Sequence, residues 1–103
     1  MTEIKLLMEH IEDEIKDADT YAKLALEYKD TDKELADLFY RLSGEELDHM
    51  NRLHAQIIRL IEARKRSGAE IPPSMMPVYT YLHKQHIDAA TAIGVAQAMY
   101  RGK

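Results

Sequence analysis

The chain has 103 residues, enough for one domain, because so short a chain cannot build two separate hydrophobic cores. Hydrophobic residues make up 46% and charged residues 31%, which excludes a disordered chain, and no apolar run approaches the roughly 18 residues of a membrane-spanning helix. The net charge of −4 argues against nucleic-acid binding, and the absence of cysteine excludes disulfides, iron–sulfur clusters and thiolate metal sites. We therefore expect a soluble cytoplasmic protein with no membrane or nucleic-acid partner, in which carboxylates and imidazoles bind any metal.

Breaks in the sequence divide the chain into three predicted helices. Glycine and proline are scarce until residues 67–74, and a second break falls near residues 29–33. We predict helices over about residues 2–29, 32–66 and 77–100, no strands, and a single domain over residues 1–103. The predicted fold is all-α, an antiparallel hairpin of two long helices followed by a third, C-terminal helix.

Local signals mark the ends of the second helix. Thr31 with Glu34 fits a capping box, and Asp30 or Asp32 is an alternative N-cap. Three basic residues precede Gly68, which suits the negative end of a helix dipole. Inside this helix, the pair Ser43 and Gly44 lowers helix propensity, which indicates a close approach of another helix or a bend.

The first two helices each carry a stripe of residues in steps of three and four, the pattern of a helix–helix contact. The stripe of the first helix is Ile4, Leu7, Ile11, Glu14, Ala18, Tyr21, Ala25 and Tyr28. The stripe of the second is Leu35, Phe39, Leu42, Glu46, His49, Leu53, Gln56 and Leu60. Glu14, Glu46 and His49 are thus predicted at core positions, where carboxylates are costly unless something compensates their charge. A bound divalent cation would do so, and the alternative is a satisfied polar core.

The spacing of these three residues predicts that their side chains lie close together. Glu46 and His49 are three residues apart, which places them on one helix face. A turn near residue 31 lies 17 residues after Glu14 (31 − 14) and 15 residues before Glu46 (46 − 31), so the two glutamates should face each other across an antiparallel hairpin. The sequence therefore predicts a group of metal ligands between the first two helices.

The number of ligands indicates an oligomer. A di-iron site in a four-helix bundle takes a glutamate from each of two helices and a Glu-x-x-His motif from each of the other two. One chain supplies half of that set, and the segment from His83 to His86 in the third helix contains no carboxylate. Two chains related by a two-fold axis would supply Glu14, Glu46 and His49 twice. We expect a homodimer at minimum, and a higher homo-oligomer built from such pairs.

The same residues carry a resemblance to a known family. Glu14, Tyr21 seven residues later, the hydrophobic stretch with Phe39, and the motif from Glu46 to His49 resemble the first half of ferritin-like and rubrerythrin-like di-iron proteins. The match covers about residues 4–60, and the short chain looks most like the encapsulated ferritins, whose protomers form the ferroxidase centre between chains.

The resemblance implies a ferritin-like four-helix bundle formed by two chains, with iron oxidation and iron storage or detoxification as the function. It implies that Glu14, Glu46 and His49 are iron ligands and catalytic residues, that Tyr21 lies beside them, and that a protein shell or nanocompartment encloses the oligomer. Acids that lead iron towards the first ligand are also implied. Asp13 matches one of them, whereas Lys16 stands where a second is expected and the neighbouring Asp17 is its candidate substitute.

Two other functions use the same residues. A structural or assembly protein would use the metal, iron or zinc, only to staple the helical hairpin. A dimanganese or peroxide-reducing enzyme would keep the ligands and change the metal, because these ligands do not select one first-row ion.

Other candidate residues are interpreted as structural. The interpretations are surface positions for His10 and His54, an exposed or capping role for His83 and His86, and packing for the pair Met75 and Met76.

Overall fold

The computed structural model describes residues 2–102 as three α-helices: α1 (Thr2–Tyr28), α2 (Lys33–Ser67) and α3 (Met75–Tyr100). These residues contain no strand, so the all-α prediction is confirmed, and each helix begins and ends within two residues of its predicted bounds. The molecule is a rod with dimensions of 56 × 18 × 18 Å. In the described part of the chain, no helix is both long and apolar enough to cross a membrane.

The turn between α1 and α2 is short and capped by an aspartate. The amide of Asp32 donates to the carbonyl of Tyr28 over 2.9 Å, and the Asp32 side chain accepts from the amide of Leu35 over 3.1 Å. Asp32 is therefore the N-cap of α2, and the capping box with Thr31 is wrong. At the other end, Gly68 adopts a left-handed conformation with φ of 75°, and its amide donates to the carbonyl of Lys65.

The buried surface of the hairpin lies beside the predicted stripe of α2. The buried residues of α2 are Ala36, Ser43, Met50, Ile57 and Ile61, whereas every member of its predicted stripe is half-buried or exposed. The reason is that α3 lies against one side of the hairpin and covers the residues next to the stripe. In the single chain, Glu14 and Glu46 are therefore half-buried and His49 is exposed, so the hairpin alone does not enclose the predicted ligands.

Small residues let α3 approach α1 closely. Ile93 of α3 packs against Ala18 and Ala22 of α1, with Ala96 beside them. Further along the rod, Tyr79 joins the core of α1 and α2 that contains Ile11. At its C-terminal end, α3 is held by Tyr100, which hydrogen-bonds Asp37 of α2.

One buried hydroxyl connects all three helices. Ser43 of α2 is fully buried, and its Oγ donates to the carbonyl of Ala18 in α1 over 2.7 Å. The same Oγ accepts from Nε2 of Gln97 in α3 over 2.9 Å. The sequence signal at Ser43 and Gly44 is explained by this close approach at Ser43, whereas Gly44 is exposed and its α-carbon faces open space.

One side of the hairpin is not covered by α3, and we call it the open face. Its residues are Leu7, Glu14, Tyr21 and Tyr28 from α1 and Leu35, Phe39, Leu42, Glu46, His49 and Leu53 from α2, all partly or largely exposed. The accessible surface of the whole chain is 6753 Å², against about 5900 Å² for a compact monomer of this mass. The larger accessible surface is that of a long rod with one uncovered side.

Ser43→Ala should lower the free energy of unfolding by about 1–3 kcal/mol, because the Gln97 amide and the Ala18 carbonyl lose a buried partner. The measurement is urea unfolding at one fixed protein concentration. Thr20→Ala is the matched control, since its hydroxyl also donates to a carbonyl, that of Lys16, but on the exposed surface of α1. Equal losses in the two variants would contradict a special role for Ser43.

Candidate metal centre

Glu14, Glu46 and His49 meet at one level of the hairpin, as the spacing predicts. Nδ1 of His49 lies 3.4 Å from Oε2 of Glu14 and 3.8 Å from Oε1 of Glu46. Each side chain offers one ligand atom, and these three atoms all lie within 4.8 Å of one another. They form the only group of three or more metal-binding side chains this close together in residues 2–102. Their role as metal ligands stays a prediction.

Backbone geometry accounts for the convergence. Glu46 and His49 occupy neighbouring positions on one face of α2, and the antiparallel turn at residues 29–32 places Glu14 of α1 opposite them. Exposure falls from His49 to the glutamates: the side chain is 48% exposed in His49, 23% in Glu14 and 18% in Glu46. The carboxylates are therefore partly desolvated, while the imidazole faces outward from the open face.

Glu14 strongly perturbs the titration of Glu46. A hydrogen bond that the protonated Glu46 carboxyl donates to the Glu14 carboxylate, together with partial burial and the charge of Glu14, raises the pKa of Glu46 to about 7. The charge of Asp17 acts in the same direction, and His49 acts against it. Near neutral pH the pair therefore tends to hold a proton. A divalent cation at this point would replace that proton and compensate both carboxylates.

The donor atoms suit a hard or borderline cation. Two carboxylates and an imidazole are ligands for iron, manganese or zinc, and they do not select among these ions. Three donors leave further positions around the ion for water, for an oxidant or for ligands from another chain. The group therefore fits a metal, but as part of a site rather than a closed one.

Tyr21 lies on the open face two turns of helix from Glu14, but its contacts are aromatic. Its ring stacks on Phe39, with 6.0 Å between the ring centroids, and Tyr28 contacts the same phenyl ring at 6.1 Å. Within residues 2–102, no hydrogen bond joins Tyr21 to Glu14 or Glu46. Its role beside the ligands remains a prediction, and its observed contribution is to the aromatic surface of the open face.

Two histidine interpretations are wrong. His86 is buried, with 7% of its surface exposed, rather than exposed or capping. His54 is half-buried and stacks on His83 of α3, with 4.1 Å between the ring centroids, rather than lying free on the surface. The sequence signal for this histidine cluster is the spacing of His83 and His86 on α3. The signal for His54 is weaker, because it depends on where α3 docks.

Comparison of the chain with protein-family models, with curated proteins and with solved structures found no match in any of the three. Function is therefore inferred from the residues of this chain and their geometry.

In the metal-free protein, stability should fall as the pH rises from about 4.5 through about 7, because the pKa of Glu46 is higher in the folded chain than its ordinary value. The stabilisation from protonated Glu46 is complete below the ordinary pKa and is lost above the raised one. Glu46→Gln should remove this fall, since an amide does not ionise. The measurement is thermal unfolding from pH 4.5 to 8 with a chelator present.

Glu45→Gln is the control for this experiment, because Glu45 is an exposed neighbour in the same helix and Glu46 is intact in that variant. It should keep the wild-type pH dependence. A Glu46→Gln protein with the same pH dependence as wild type would show that the carboxylate pair does not share a proton.

Proposed function

We propose that this chain is a ferritin-like di-iron protein that oxidises Fe(II) to Fe(III) at a site formed between two copies. The observation that carries the proposal is the group of Glu14, Glu46 and His49, whose ligand atoms lie within 4.8 Å of one another on a face of the hairpin that α3 leaves uncovered. The resemblance of residues 4–60 to ferritin-like proteins supports it.

The composition of the open face supports pairing with a second copy. Leucine and aromatic residues lie on both sides of the three polar side chains along the rod, including Leu35 and Leu42 before Glu46 and Leu53 after His49. A second copy placed there by a two-fold axis would bury these side chains and bring two identical ligand groups together. The combined set has four carboxylates and two imidazoles, the ligands of a di-iron site in a four-helix bundle.

Fe(II) is the substrate of the proposed reaction. Each of two Fe(II) ions loses one electron, and O₂ takes up both electrons and two protons to leave as hydrogen peroxide. With peroxide as the oxidant, the two electrons and two protons instead give two water molecules. The carboxylates of Glu14 and Glu46 favour the Fe(III) product because they are hard anionic ligands, and His49 completes the set. In this proposal the chain holds both ions in place and supplies negative charge.

Iron detoxification follows from oxidation alone, whereas storage also needs an enclosure. A rod of 56 × 18 × 18 Å does not enclose a mineral. We therefore assign storage to a larger homo-oligomer or to a surrounding protein shell.

Glu14→Ala and Glu46→Ala should each slow aerobic Fe(II) oxidation by about 100-fold or more, because each removes a carboxylate from both ions of the pair. The measurements are the rise of Fe(III) absorbance and O₂ consumption. Glu45→Ala, next to Glu46 but exposed and outside the group, should oxidise Fe(II) at the wild-type rate. Unchanged rates in both ligand variants would eliminate the proposal, and metal binding without O₂ consumption would favour a structural staple.

Leu35→Lys should weaken pairing without removing a ligand. Leu35 lies on the open face, 11 residues before Glu46 (46 − 35) and so about 16 Å along α2, and a lysine there would bring a buried charge into the paired surface. Native mass spectrometry with and without Fe(II) should show mainly single chains, and Fe(II) oxidation should fall with pairing.

Ile58→Lys is the matched control, because Ile58 is also on α2 but is 43% exposed and outside the open face. It should keep the wild-type subunit number, with two iron ions per pair. Loss of pairing in Ile58→Lys but not in Leu35→Lys would place the interface on a different face.

A further inference from the structure

A second cluster of metal-binding side chains lies between α2 and α3 and takes no part in the proposed iron site. His54 of α2 stacks on His83 of α3, with ring centroids 4.1 Å apart and ring planes within 5° of parallel. His86 follows one turn later on α3 and is buried. The three imidazoles line one small cavity together with Ile11, Met50, Asn51 and Ile87.

The cavity has the size of a single small occupant. Its volume is about 20 Å³, and a space of at least about 10–15 Å³ is needed to hold one water molecule. An ion coordinated directly by imidazoles needs no larger space, since metal–nitrogen distances are about 2.0–2.1 Å. The cavity is too small for an organic ligand.

Two of the three imidazoles have a second group beside one ring nitrogen. Nδ1 of His54 lies 3.3 Å from the hydroxyl of Tyr79, and Nε2 of His86 lies 3.7 Å from Oε1 of Glu12. Metal-binding histidines commonly present one nitrogen to the ion and donate the other N–H to a carboxylate or another oxygen. Tyr79 is in position to accept such a hydrogen bond, and Glu12 lies just beyond hydrogen-bonding distance.

One ring nitrogen of His86 is buried without a hydrogen-bond partner among the described residues. This atom is Nε2, and Glu12 is beyond hydrogen-bonding distance from it. Burial also lowers the pKa of His86, and burial with the charges of His83 and His86 lowers that of His54. Both shifts favour the uncharged imidazole, which is the form that binds metals.

We propose that His54, His83 and His86 form a second metal site that takes one borderline transition-metal ion, such as Zn(II), and fastens α3 to the hairpin. Three imidazoles favour zinc, nickel or copper ions, in contrast to the carboxylate-rich group on the open face. Binding requires the stacked rings to turn towards a common point, because the nitrogen atoms of these three residues do not lie within 4.8 Å of one another as those of the first group do. Glu12 then shifts by a few tenths of an ångström to accept from His86.

The test uses the full chain with Glu46→Ala, which removes the first site, and Zn(II) or Co(II) as the probe. Isothermal titration should give one Zn(II) per chain, and the Co(II) spectrum should show nitrogen ligation in tetrahedral geometry. Adding His54→Asn or His83→Asn should weaken Zn(II) binding about tenfold or more, because each removes a direct ligand. Zn(II) should also raise the unfolding temperature of the Glu46→Ala protein and leave that of the histidine variants unchanged.

His10→Asn is the matched control, because His10 is an exposed histidine of α1 outside both groups. It should bind Zn(II) as the Glu46→Ala parent does. Circular dichroism of each variant checks the helical content, and the half-buried His83 provides a substitution that spares the buried His86. Absence of Zn(II) binding in the parent, or equal affinity in His83→Asn and His10→Asn, would overturn the proposal. Neither result bears on iron oxidation, which is tested at Glu14 and Glu46 of the intact chain.

Discussion

The structure depends on holding two carboxylates and an imidazole at one level of the contact between α1 and α2. Placing the two carboxylates so close together has an electrostatic cost. The hydrogen bond to Glu14, partial burial and the charge of Glu14 raise the pKa of Glu46 to about 7, so the group tends to hold a proton when no cation is present. The long uninterrupted helices and the short turn at residues 29–32 keep Glu14 opposite Glu46 despite this cost. A structure that maintains such an arrangement is well suited to exchange protons for cations.

The parts that depend on local sequence could be predicted. Glycine and proline positions, with apolar residues in steps of three and four, predict the three helices and their bounds to within two residues. The similar distances of Glu14 and Glu46 from one turn predict their convergence with His49. A short turn between antiparallel helices brings residues at similar distances from it to the same level. The level at which the three side chains lie is therefore predictable from the first two helices alone.

The parts that depend on where α3 docks could not be predicted. This helix has apolar residues around much of its circumference, with Val78, Tyr81, Val95 and Met99 more than half exposed, so its sequence pattern does not identify the face that packs on the hairpin. That face decides which stripe of α2 is buried. For the same reason the sequence pattern predicts a surface position for His54 and contains no local signal for the burial of His86.

The serine that joins the three helices has a mechanical consequence for the ligand group. Ser43 precedes Glu46 by three residues in the same helix. The hydrogen bonds of Ser43 to the Ala18 carbonyl and the Gln97 amide therefore fix the rotation of α2 about its own axis. Twisting α2 enough to turn Glu46 away from Glu14 would strain both bonds. The C-terminal helix α3 supplies no carboxylate to the ligand group. Through Gln97 it nevertheless helps to set the orientation of α2, the helix that carries Glu46 and His49.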